Sequence, residues 1–100
     1  MAYKIIWSPE AIETFDAIIE YLDLKFTNKE VAQFVKIVNR RLLLIEKFPY
    51  VARTTSRTSK RRRTVIHKRT IIYYKIRERK KMVELLSVFD TRQSPDKLKF

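Results

Sequence analysis

The chain has 100 residues, 45% of them apolar, no cysteine, no glycine and a formal net charge of +12. That length accommodates one domain spanning 1–100, and that apolar fraction can fill its core. Without cysteine there is neither a disulfide framework nor a thiolate metal site, which fits a reducing cytoplasm.

The apolar runs are only a few residues long, as at Leu42 to Ile45, so no membrane span is expected. The opening Met1-Ala2-Tyr3-Lys4 lacks the long apolar stretch and the small-residue cleavage site of a signal peptide. The charge is unevenly placed. Residues 1–52 and 82–100 are each neutral, whereas residues 53–81 carry thirteen Lys/Arg against one acid, Glu78. A segment like this sets up a local positive field able to attract phosphate backbones or an acidic protein.

In chain order, Tyr3-Lys4-Ile5-Ile6-Trp7 reads as a short strand, rich in aromatic and β-branched side chains. Ser8-Pro9 opens a helix, because serine caps free N–H groups and proline is tolerated in the first turn. Ile12, Phe15, Ile19, Leu22 and Phe26 recur at helical spacing, so the spacing predicts a helix from about Pro9 to Lys25 with these residues on its apolar face. Thr27 and Glu30 have capping-box spacing and start a second helix. Its stripe is Val31, Phe34, Val35, Val38, Leu42 and Ile45, and Phe48-Pro49 ends it.

Residues 50–60 are polar and read as a loop, with turns that must do without glycine. The period then changes to near two. Arg63 to His67, Thr70 to Arg77 and Met82 to Phe89 read as strands, with a polar turn around Glu78. Ile72, Tyr74 and Ile76 share one face of the middle strand; Ile71, Tyr73, Lys75 and Arg77 share the other. The order β-α-α-β-β-β argues for an α+β fold, an antiparallel helix pair on one face of a mainly antiparallel four-stranded sheet. The other face is left free, and the basic strands supply it.

Three segments resemble the RelE/ParE toxins of bacterial type II toxin–antitoxin systems. They are Trp7-Ser8-Pro9-Glu10-Ala11 after a short strand, Val65 to Ile76 with its basic turn and tyrosine-bearing strand, and Leu85 to Pro95 with Arg92 as the terminal arginine. The resemblance covers nearly the whole chain and implies the fold just derived. It implies a toxin, of a plasmid-stabilising or stress-response module, that a cognate antitoxin with an acidic segment neutralises. It also implies one of two mechanisms. RelE-like members are ribosome-dependent endoribonucleases acting on mRNA; ParE-like members inhibit DNA gyrase without catalysis. A third reading is a nucleic-acid-binding accessory domain.

Cleavage through a 2′-hydroxyl needs a base, an acid and cations for the charge on phosphorus. No metal cluster is visible in the sequence and no cofactor is expected. The nuclease reading, taken first, assigns proton transfer to His67 or Tyr73 and a catalytic contact to Arg92. Arg61, Arg63, Lys68, Arg69 and Lys75 are the candidate phosphate ligands, since arginine grips phosphate with paired hydrogen bonds. Alternation forbids Arg61, Arg62 and Arg63 from sharing one face. Of the two tyrosines, Tyr74 is expected in the core and Tyr73 accessible. One departure from the nuclease pattern is that Asp90-Thr91-Arg92-Gln93 offers neither the Tyr nor the His that RelE-like enzymes often carry there.

Overall fold

The computed structural model describes residues 3–66 and 69–91. Along the chain run β1 (Lys4–Trp7), α1 (Pro9–Lys25), α2 (Asn28–Lys47), a 3-10 turn (Pro49–Val51), β2 (Arg53–Thr54), β3 (Arg61–Ile66), β4 (Thr70–Arg77) and β5 (Met82–Asp90). They form one five-stranded sheet in the order β1-β5-β4-β3-β2. The first strand lies parallel to β5 and all other pairings are antiparallel.

The helix ends follow local chemistry. Ser8 Oγ accepts from the Ala11 amide at 3.0 Å, satisfying one of the donors that every helix start leaves free. The same hydroxyl donates to the Leu86 carbonyl at 3.3 Å, and Thr14 Oγ1 accepts from the Val88 amide at 3.0 Å. The start of α1 thus satisfies backbone groups of β5 beyond the reach of β1. At α2 the expected capping box takes another form. The Thr27 hydroxyl donates to the Glu30 carboxylate at 3.5 Å, and the side chain makes no cap to a backbone amide.

Both helices pack on the same sheet face. Ala11, Ile18 and Leu22 of α1 and Phe34, Val38, Leu42 and Ile45 of α2 join Ile66, Ile72, Tyr74, Val83, Leu85 and Val88 in one buried cluster. Trp7 meets Phe15 edge-on at 5.2 Å, and Phe15 stacks on Phe34 at 6.0 Å, tying β1 to both helices. The face of α1 is rotated from the expected one. Small Ala11 is fully buried, while Ile12 and Phe26 are 49% and 41% exposed. The stripe that meets the sheet steps through positions 11, 15, 18 and 22, and Ile12 falls at its margin.

Two further differences bear on the site. The segment 50–60, expected to be loop throughout, contributes β2, which pairs Arg53 with Arg63 and Thr54 with Arg62. The sheet therefore has five strands where four were expected. Between β4 and β5, Tyr73 is opposite Ser87 and Tyr74 opposite Leu85. Leu86 is thus the extra residue of a β-bulge. The turn into β5 closes without glycine, Lys81 taking φ 53°.

Candidate functional site

The register of the sheet decides which cations share a surface. Directly paired residues put their side chains on the same face. One row across the face away from the helices therefore reads Arg53, Arg63, Tyr73, Ser87. The next reads Arg61, Lys75, Glu84. Arg77 follows Lys75 by two residues and so lies on the same face. Its guanidinium grips Glu84 Oε1 through Nη2 at 2.7 Å and Nε at 3.2 Å. Lys4 joins them through the row Lys4, Met82, Arg77, so among the described residues six cations share this face with one carboxylate, Glu84, that is already paired.

A shallow depression of about 560 Å³ lies on this face, lined by Ser59, Lys60, Arg61, Lys75, Arg77 and Leu86 among others. The bulge at Leu86 helps shape its floor. The loop before β3 is held by short local bonds, Ser56 Oγ accepting from the Ser59 amide at 3.2 Å and Ser59 Oγ from the Arg61 amide at 3.0 Å. These bonds fix where Arg61 enters the sheet.

Of the three consecutive arginines, Arg62 is the one that turns to the helix side. Its Nη1 donates to the Ala52 carbonyl at 2.5 Å, and its guanidinium sits 4.9 Å from the Tyr50 ring centre. From α2, Arg41 donates to the hydroxyl of Thr64. Tyr50 in turn donates to the Glu78 carboxylate. That bond, with lesser contributions from desolvation and from the charge of Glu78, pushes the Tyr50 phenol up to about 12. Burial raises Tyr74 above its ordinary value. Arg41, Arg62 and Tyr74 brace the helix side.

The expected site residues divide as follows. Arg61, Arg63 and Lys75 come together on the open face. Arg69 is exposed in the turn before β4, at the opposite end of that strand from Lys75. Tyr73 is on the open face, but only 8% exposed, so the expectation of an accessible phenol was wrong. Its neighbours on that face, Ile71 at 7% and Ser87 at 0% exposure, are buried with it. His67, Lys68 and Arg92 lie outside the described residues. Reading the sequence missed Arg53, because a two-residue strand in a polar stretch leaves no periodic trace; only its pairing with Arg63 places it on the face.

Among the described residues, no group of three or more His, Cys, Asp or Glu side chains is arranged to hold a metal ion, and no helix is long and apolar enough to cross a membrane.

The fold has known counterparts. The chain is similar to a chain of the RelBE2 toxin–antitoxin complex from Mycobacterium tuberculosis, with TM-score 0.61 and 14% identity over 90% of this chain and 99% of that one. It is also similar to a chain of the chromosomal ParDE system from P. aeruginosa, with TM-score 0.73 and 12% identity over 89% and 96%. No curated protein matches by sequence. A family model of the ParE toxin of the type II toxin–antitoxin system parDE matches residues 5–95, a span that holds both helices and β2 to β5, and the chain belongs to the ParE toxin family.

Proposed function

We propose that this toxin inhibits DNA gyrase by binding, without a catalytic step, and that the open basic face makes the contact. The observation that carries the reading is the match to the ParE toxin model over residues 5–95. The electrostatics support it. Arg53, Arg61, Arg63, Lys75 and Arg77 project a positive field from one surface, which speeds and orients docking on an acidic or nucleic-acid-bearing partner. The low exposure of Tyr73 supports it further, since a proton shuttle must reach its substrate. The proposed target lies in the cytoplasm. A cognate antitoxin is the proposed regulator, as both similar structures are of toxin–antitoxin complexes.

One observation favours the second reading, a ribosome-dependent endoribonuclease. Arg61, Lys75 and Arg77 line a depression, and cations lining a groove suit a phosphodiester backbone.

The test uses the purified toxin in two assays, supercoiling of relaxed plasmid by gyrase and cleavage of ribosome-bound mRNA. Blocked supercoiling with intact message is the expected result. Cleaved message with normal supercoiling overturns the proposal in favour of the nuclease.

A further inference from the structure

The edge of the sheet farthest from β2 is β1, and no strand lies beyond it among the described residues. The Lys4 amide donates to the Lys81 carbonyl at 2.9 Å and the Ser8 amide to the Leu85 carbonyl at 3.1 Å. Lys4, Ile6 and Ser8 therefore turn their backbone groups toward β5, while Ile5 and Trp7 turn theirs away from it. Such an edge is a template for another strand. Beside it, on the sheet face away from the helices, is a hollow of about 530 Å³ lined in part by Ile6, Met82, Arg79 and Lys80. Ile6 lies next to Glu84, and Met82 between Lys4 and Arg77. Neither apolar side chain belongs to the core cluster, so both are available as a floor. The rim is cationic, with Arg77, Arg79 and Lys80 all exposed. The two acids that line the hollow are engaged, Glu78 by Tyr50 and Glu84 by Arg77. Arg77 and Glu84 also line the depression at Arg61 and Lys75, so the two hollows share a wall.

We infer that this edge and hollow receive an extended acidic segment of gyrase, added to the sheet as a strand beside β1. The inference rests on the gyrase reading and names the kind of segment the toxin holds. Main-chain bonds to Ile5 and Trp7 supply affinity, while alternate side chains supply choice of partner. On the open face, an apolar side chain of the segment enters over Ile6 and Met82. Carboxylates at the flanking positions of the same face reach Lys4, Arg79 and Lys80. A nucleic acid fits poorly, because the floor offers apolar carbon where phosphates would need cations. A second copy of this chain also fits poorly, because a net charge of +12 on each opposes the pairing of like edges. Through the shared wall at Arg77 and Glu84, a protein held at β1 lies against the basic face as well.

The experiment uses the full-length toxin and purified DNA gyrase without DNA. Backbone amide exchange of the toxin is measured with and without gyrase. Binding is titrated for wild type, Arg79→Glu/Lys80→Glu and Ile6→Gln/Met82→Gln. All four positions lie outside the core cluster, and the exchange of the core amides reports whether each variant is folded. The expected result is slowed exchange at Ile5 and Trp7 on binding, and affinity weakened at least about tenfold in both folded variants. Unchanged exchange at Ile5 and Trp7 in the gyrase-bound toxin overturns the inference, as does wild-type affinity in either folded variant. Slowing of the same two amides by duplex DNA alone, or by raising the concentration of the toxin alone, overturns it in favour of a nucleic acid or of a second copy. A wild-type toxin that neither binds gyrase nor blocks supercoiling overturns the gyrase reading itself, a separate result from gyrase bound elsewhere on the chain.

Discussion

The phenol of Tyr74, fully buried at the centre of the sheet, donates a hydrogen bond of 2.7 Å to the carbonyl of Pro49. This contact fastens the turn after α2 to the sheet, so that the chain enters β2 in register with Arg62 and Arg63. Tyr74→Phe leaves the carbonyl unpaired and is expected to cost about 1–2 kcal/mol, read from urea unfolding. Burial raises the phenol above its ordinary value of 10.0, so the folded state holds the proton more tightly than the unfolded one. Stability is therefore expected to fall as pH rises above 10, and Tyr74→Phe should flatten that fall.

The Tyr50–Glu78 hydrogen bond gives a second pH signature. The Tyr50 phenol is pushed up to about 12, first of all by Glu78. Glu78→Gln removes both the charge and the strong acceptor, and is expected to move one tyrosine transition toward the ordinary range in an ultraviolet pH titration. A titration unchanged by the substitution would contradict the contact.

The two sides of the sheet are distinguished by neighbouring arginines. Arg63→Ala is expected to weaken non-specific binding to duplex DNA and lower its salt slope by about one, as the loss of one phosphate contact should. Arg62→Ala should leave that slope unchanged. It should instead cost about 1–2 kcal/mol of stability, through the bond to Ala52 and the contact over Tyr50.

The orientation of α1 is tested by truncation. Ile18→Ala, at a position 1% exposed, is expected to cost about 2–5 kcal/mol. Ile12→Ala, at a position 49% exposed, should stay within about 0.5 kcal/mol of wild type. Comparable losses at both positions would mean that the helix is seated as the sequence periodicity alone suggests.

Much of this architecture was legible in the residues, for reasons that are local. Ser8-Pro9 and the break at Phe26-Thr27 bound α1 at Pro9–Lys25, because caps and prolines act within one turn. The choice between Ala11 and Ile12 was not legible, since hydropathy ranks isoleucine above alanine and ignores how closely a helix approaches a sheet. Non-local pairing was also hidden. The parallel pairing of β1 with β5, and the antiparallel pairing of Arg53 with Arg63, depend on segments far apart or too short to show alternation. For the site, alternation grouped Tyr73, Lys75 and Arg77 correctly and forbade a common face to Arg61, Arg62 and Arg63. It did not say that Tyr73, on the central strand, would be buried.

Inhibition of gyrase supercoiling by Arg61→Glu/Arg63→Glu/Lys75→Glu tests whether the cations gathered on the open sheet face make the contact with gyrase. All three side chains lie away from the helix-packed core, so the variant should fold. It is expected to need at least about tenfold more protein than wild type for half-inhibition, roughly 1.4 kcal/mol of lost binding. A folded triple variant that inhibits at the wild-type concentration would show that these cations make no such contact.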